Sequence, residues 1–328
     1  RDRLRSRGLG DVYKRQHLII LQKKKYVESS IRRYFMGDFS NAERKILAFM
    51  KEGTQFIFQD KNYSVVLAGK PTCHKGEPKT DIYILAKSVN DETEIKISYK
   101  KENADFIENK MSAERAEQLL GDNWSEIIKK STIAIHDKFE ERMLIYKNKF
   151  RRTEKGAITL GWKFELLNKK SGDLSGKMLL TEEQVIDVYA GNNLSDDKRN
   201  AVVCGQVIEG SGIANYILMD ESVQSAQDVI DKMVPIRDYV NMHPDIYFAC
   251  KALNYRSFAE KWDGDRPLSV QVFWNAEENK LVPKLVYNSP LKIKGNEMAI
   301  RLLKYMKLLH IKNTDDIDDE NVGTDKII

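Results

Sequence analysis

The sequence predicts an α/β protein: a mixed central sheet flanked by helices, with an additional α+β part towards the C-terminus. Helical and strand patterns interleave without a regular βαβ cadence, which favours a mixed sheet over an all-parallel one. Neighbouring period-two runs are joined by short polar turns, the signature of hairpins. No internal repeat is present.

The elements follow in order. Residues 38–53 read as a helix: Ser40 or Asn41 can cap it, Ala42, Ile46, Phe49 and Met50 share a face, and Gly53 stops it. Residues 55–59 and 63–68 form a hairpin around Asp60-Lys61-Asn62. A polar loop over 69–79 leads into a strand at 81–86, a turn at 88–92 and a returning strand at 93–99. Residues 112–120 are helical, with Ser112 as cap and Gly121 as stop, and a longer helix runs over 125–150.

Strands at 158–167 and 177–180 flank 168–176. Thr181-Glu182-Glu183-Gln184 is a capping box opening a helix that ends at Gly191. Strands at 201–208 and 214–219 flank a turn at 209–212. A helix at 222–234 and irregular helical segments to Trp262 follow. Leu268, Val270, Val272 and Trp274 then alternate on one face of a strand, 281–287 returns, and 296–309 is an amphipathic helix. Residues 314–328 read as an acidic, disordered tail. The domain boundaries expected are therefore a core over 36–220, a C-terminal part over 221–313, and the tail.

Residues 1–35 are read as non-native. Ser6 to Gln16 looks like a translated sequencing adapter, and such scars are excluded from fold reasoning. It implies a frame running off the end of an assembled environmental read. Arg32-Arg33-Tyr34-Phe35-Met36 can be read from a ribosome-binding site followed by a start codon, so Met36 is the expected native start. The alternative is a genuine helix over 17–35. The formal charge of +5 then changes meaning: residues 1–16 and 17–35 each carry +4, leaving −3 for 36–328. The tail carries −5, which leaves +2 for 36–313. Overall charge is thus no argument for nucleic-acid binding, although a local basic cleft steers anions regardless of net charge.

Cys73, Cys204 and Cys250 form no disulfide framework and fit a reducing, cytoplasmic setting. No apolar run approaches the ~20 residues of a membrane span.

The chemistry concentrates in residues 78–101. Pro78-Lys79-Thr80-Asp81 opens one strand of a hairpin, and Glu94-Ile95-Lys96-Ile97-Ser98-Tyr99-Lys100-Lys101 ends the other. A hairpin centred on Val89-Asn90 sets Asp81 opposite Ser98 and Glu94 opposite Leu85. At about 3.3 Å rise per residue, Glu94 then lies on the order of 13 Å from Ser98. Glu94, Lys96, Ser98 and Lys100 share a face, and only the last two can meet Asp81. Asp81 is a hard oxygen ligand suited to Mg²⁺, the Tyr99 carbonyl can add another, and Lys100 can stabilise charge developing on a phosphate.

At these residues the chain resembles the PD-(D/E)XK nucleases, particularly type II restriction endonucleases with a Pro-Lys-Thr-Asp segment and a later Ile-Ser-x-Lys strand. The resemblance spans about residues 40–120. It implies a restriction-endonuclease-like fold and cleavage of double-stranded DNA with Mg²⁺, or Mn²⁺, by a protein that can act as a homodimer. Asp81 matches the family's first acid, Lys100 its lysine, and Glu43 its frequent helix-borne acid. Ser98 stands where the family usually has Asp or Glu, which removes one carboxylate and puts metal affinity in doubt unless Glu43, Glu77 or another acid compensates. A second register takes Glu94-Ile95-Lys96 as the Glu-x-Lys triplet. Lys79, Lys101, Lys110 and Arg115 are placed to contact DNA phosphates.

The bland reading is a solvated face, because Asp, Glu and Lys often alternate on strands. A non-catalytic nucleic-acid-binding or phage-encoded structural protein on a degenerate nuclease-like fold is the rival function. Cys73-His74 lacks a second metal-ligand pair. Gly205 and Gly210-Ser211-Gly212 lie between strands and read as a turn rather than a phosphate cradle. Gln118 reads as an exposed helix former, His136 and His310 as structural, and Trp162, Trp262 and Trp274 as core or rim.

Overall fold

The structure is a computed structural model describing residues 41–101, 106–220 and 222–328. The expectations for residues 1–35, the start at Met36 and the Ser40 cap lie outside the described residues. The protein is mixed α/β. It divides into two compact units, one ending at Tyr99 and resuming over Asp196–Met233, the other comprising Lys100–Ser195 and Val234–Ile328. This differs from the expected core over 36–220. The physical reason is a strand added in parallel, which needs a long crossover connection, so the first unit is discontinuous in sequence.

In the first unit, α1 (Asn41–Phe49) precedes β1 (Gln55–Phe58), β2 (Lys61–Gly69), β3 (Ile82–Lys87) and β4 (Glu92–Tyr99). These four strands form an antiparallel meander, and Tyr216–Leu218 pairs in parallel with β4, setting Ile217 beside Ser98. The β1–β2 turn lies one or two residues earlier than expected. Phe58 pairs with Lys61, and Gln59 and Asp60 both have positive φ, 50° and 61°. That is the twist-matched two-residue hairpin turn.

The β3–β4 register runs from Ile82↔Ile97 to Lys87↔Glu92, as the Val89-Asn90 centre implies. Period-two alternation sends Ile82, Ile84, Ile95, Ile97 and Tyr99 into a core with Ile46, Met50, Val65, Leu218 and Val229. Each such aliphatic side chain contributes roughly 1.5–3 kcal/mol by leaving water. Helix α1 and the Ser225-capped helix Ala226–Lys232 supply the covering residues. Between residues 201 and 219 only short strands form, Val202–Val203 with Gln206–Val207, and then Tyr216–Leu218.

The second unit is organised on β5 (Ala157–Leu167), β6 (Tyr247–Arg256), β7 (Val270–Glu277) and β8 (Lys280–Val286). β6 and β7 flank β5, and β8 pairs with β7. Gly161 sits at φ 149°, and a Cβ there would lie 2.5 Å from the Val270 carbonyl oxygen. Glycine is therefore required where β7 crosses β5. Helix α2 (Ala113–Leu120) begins and ends as its Ser112 and Gly121 signals imply. The Thr181 capping box and the left-handed Gly191 likewise bound helix Glu182–Ala190.

Three expectations are corrected here. The helix over 125–150 breaks into Trp124–Ile133 and His136–Glu140, after which Ile145–Tyr146 joins β5 as a strand. Ser131 and Thr132 turn their hydroxyls back onto the Ile127 and Ile128 carbonyls near the break, a bond that weakens helix continuation. Of the irregular helical stretch before Trp262, Ile236–Met242 and the short turn Ser257–Ala259 are helical, but Tyr247–Arg256 is β6, a ten-residue strand. Its helix-prone Ala, Lys and Leu are overridden by pairing along most of β5.

The tail over 314–328 is ordered. Thr314, Ile317 and Val322 are buried, Val322 bridges Leu281, and Ile327 bridges Ile145. Its alternating apolar residues anchor it despite its six acids.

Candidate functional site

Asp81 stands just before β3, at the sheet end where β4 finishes. Its amide donates to the Ile97 carbonyl at 2.8 Å, and its carboxylate Oδ2 accepts the Tyr99 amide at 2.7 Å. The side chain thus takes the place a main-chain carbonyl would hold in the ladder. This fixes the carboxylate against the last residue of β4, one position before Lys100. The preceding segment is pinned too: the Lys79 and Thr80 amides both donate to the Gly212 carbonyl, at 3.0 and 3.1 Å.

Gly212 was not singled out from sequence beyond its turn. A Cβ on it would lie 1.7 Å from the Lys198 carbonyl oxygen, so close backbone approach demands glycine. It behaves as a clamp for the Pro78–Asp81 segment. Ser98, in register with Asp81, is 1% exposed, and its Oγ has no hydrogen-bond partner.

Glu43 projects from α1 and is nearly buried. Its Oε2 meets Lys70 Nζ at 2.7 Å. Lys70 follows Gly69, which pairs with Tyr83, so this ion pair lies at the same sheet end as Asp81. Lys70 is the residue sequence reasoning missed; its signal was a lysine placed directly after an apolar strand. Glu77 is exposed, whereas Lys79 is buried.

Glu94 and Lys96 belong to a different cluster. Tyr83 donates its hydroxyl to Glu94 Oε1 at 2.5 Å, and Lys96 Nζ lies 3.4 Å from Glu94 Oε2. The Asn215 side chain holds the same stretch, accepting from the Lys96 amide and donating to the Glu94 carbonyl. Desolvation first, then the Glu94 hydrogen bond, holds the Tyr83 phenol well above its ordinary range. The Glu94/Lys96 register therefore unites with Tyr83 and not with Asp81.

The residues proposed for phosphate contact are dispersed in character. Lys101 and Lys110 are exposed. Arg115 Nε is tied to Glu108 at 2.8 Å, with its backbone amide on the Ser112 cap. Gln118 is buried rather than exposed, with Nε2 3.4 Å from Glu114 Oε1. Cys73 donates to the Lys75 and Gly76 carbonyls. Burial pushes its thiol up.

Among the described residues no three His, Cys, Asp or Glu side chains converge as a metal cage. Mg²⁺ needs less than that, since it keeps several waters and often takes one or two carboxylates. Asp81, the Tyr99 carbonyl and the orphaned Ser98 hydroxyl fit such a sparsely liganded ion. Among the described residues no helix is long and apolar enough to cross a membrane. Comparison with protein-family models, curated proteins and solved structures gives no match.

Proposed function

We propose that this protein is a Mg²⁺-dependent DNA endonuclease of restriction type, acting at the Asp81 end of the first sheet. The observation that carries the reading is the Asp81 carboxylate seated on the Tyr99 amide, one residue before Lys100. Asp81 and the Tyr99 carbonyl would hold the metal ion, which would supply Lewis acidity and activation of water at the scissile phosphate. Lys100 stabilises charge developing on the phosphate oxygens. Glu43, held by Lys70, sets the field at that sheet end. Lys101 and Lys110, both exposed, are assigned to the phosphates of double-stranded DNA, and two copies of the chain to its two strands; Lys79 is buried and Arg115 is held by Glu108. Three free cysteines suit a reducing, cytoplasmic setting.

The test is incubation with mixed plasmid and phage DNA in Mg²⁺, Mn²⁺ or EDTA. Cleavage is expected with either metal. It should fall by roughly 100-fold or more in Asp81→Ala and in Lys100→Ala, the scale for losing a charge-stabilising group. Glu94→Gln should leave it nearly unchanged. Cleavage that survives Asp81→Ala would sink this site. The serine at 98, where the resemblance expects an acid, favours one other reading, a non-catalytic nucleic-acid-binding or phage-encoded structural protein on a degenerate nuclease-like fold. Retention of DNA by folded protein with no cleavage in either metal would select it.

A further inference from the structure

The second unit contains a cleft that the reading above does not use. Its outer lobe, about 490 Å³, is lined by Lys138, Arg142, Tyr146, Phe150, Arg151 and Lys170, among others. An inner lobe of about 350 Å³ shares Arg142, Met143, Tyr146, Gly172 and Asp173 with it and reaches Trp162. Volumes of this order hold small ligands.

The side chains of the lining are unbalanced in charge, four cationic against two acidic, Glu141 and Asp173, with the terminal residue Ile328 beside them. Arg142 is fixed by Asp173, Nη2 to Oδ2 at 3.0 Å, which orients its guanidinium fork. Among the described residues Lys138, Arg151 and Lys170 have no ion pair. The Asp173 carboxyl lies below its usual range, chiefly through the Arg142 hydrogen bond and charge, with Arg151 and Lys138 adding to it. Three of the cations therefore bear on one point of the cleft.

Arg151 is also held in the left-handed region at φ 52°, closed by reciprocal Phe150 and Thr153 backbone bonds of 3.0 and 2.9 Å. This is a two-residue hairpin turn, which presents the Arg151 side chain at the cleft mouth. Its guanidinium lies 5.3 Å from the Phe150 ring centroid. Half-buried Tyr146 and exposed Phe150 add aromatic surface beside the cations. Lys251, on the inner wall, is already committed to the buried Glu165 at 2.7 Å and is not counted.

We infer that this cleft binds a nucleoside 5′-phosphate group, with Lys138, Arg142, Arg151 and Lys170 around the phosphate and Tyr146 and Phe150 against the base. Arginine forks and lysine point charges suit phosphate oxygens, and aromatic faces accept any base by stacking. The same chemistry is offered by a free nucleotide and by the 5′ end of a single strand.

The experiment is calorimetric titration of the full chain in EDTA, so that metal-dependent chemistry at Asp81 plays no part. The probes are thymidine, its 5′-monophosphate, pyrophosphate, and a thymidine tetramer with and without a 5′-phosphate. Thymidine monophosphate or the phosphorylated tetramer should bind at least roughly tenfold more tightly than its unphosphorylated counterpart. Tighter binding of the former identifies a free nucleotide, and of the latter a strand end. The exposed pair change Arg151→Glu with Lys170→Glu should weaken binding roughly tenfold or more at unchanged melting temperature. Tyr146→Ala should weaken the nucleotide but not pyrophosphate.

Four results overturn the inference: no heat with either phosphorylated probe at millimolar concentration, equal affinity for nucleoside and nucleotide, pyrophosphate matching the nucleotide, or the pair change binding as wild type.

Discussion

The two units share one way of handling charge and differ in another: both bury a carboxylate against lysine, Glu43 with Lys70 and Glu165 with Lys163 and Lys251, but the second also gathers cations around an open cleft. In the first, charge is drawn inside: Glu43 and Lys70 meet at 2.7 Å with side chains 11–12% exposed, and the Asp81 carboxylate completes a strand ladder. In the second, cations gather on the rim of a cleft, where Arg151 and Lys170 remain exposed. Buried charges survive only if fixed partners compensate their lost hydration, so the first arrangement is rigid and suited to holding geometry. Rim cations keep their water and attract anions at range, so the second is suited to capture. One polypeptide thus presents a preorganised end and an electrostatic mouth.

Backbone approach is the sharpest point of comparison, because each region has a glycine pressed against a main-chain carbonyl oxygen. Gly212→Ala places a Cβ 1.7 Å from the Lys198 carbonyl oxygen, and Gly161→Ala places one 2.5 Å from that of Val270. Each should cost about 3 kcal/mol or more by denaturant unfolding, since backbone on both sides must shift. Wild-type stability in either variant would refute the crossing it tests.

Glutamate pairs come next. Glu43→Gln leaves Lys70 nearly buried beside a neutral partner and should cost roughly 2–4 kcal/mol. Glu94→Gln acts on a side chain 37% exposed and should cost under about 1 kcal/mol after solvent screening. Equal costs, measured by the same unfolding, would erase the distinction between an inward and an outward acid on this sheet.

The smallest effect separates two thiols. Burial pushes the Cys250 thiol up to about 12, opposed by the Ser269 hydroxyl, while Cys204 in the first unit is an exposed residue whose thiol, donating to the Ala68 carbonyl, is raised by partial burial. A raised thiol pKa favours the folded state fully below the ordinary thiol value of about 8.5. That contribution is lost as pH rises towards about 12. Iodoacetamide at pH 8 should therefore modify Cys204 at least roughly tenfold faster than Cys250 in folded protein, with the difference vanishing in denaturant. Peptide mass mapping reads both sites; comparable native rates would mean that Cys250 is not enclosed.

Locality decided what could be read in advance. The β3–β4 register, the Ser112 and Thr181 helix starts and the Gly121 and Gly191 stops depend on residues a few positions apart, and they are written in the sequence. So is the placing of Asp81 opposite Ser98, because a four-residue turn leaves little freedom in the pairing. Tertiary pairing decided the rest. β6 is helix-prone by composition and becomes a strand only because β5, some 90 residues earlier, offers it a partner.

The acidic tail reads as disordered by charge, yet it docks through Ile317 and Val322, whose burial outweighs the repulsion. Glu43 meeting Lys70, Gly212 clamping Lys79 and Thr80, and four cations around one cleft are likewise products of folding. Their partners are brought together by packing across long stretches of chain, and no short-range pattern encodes such distances.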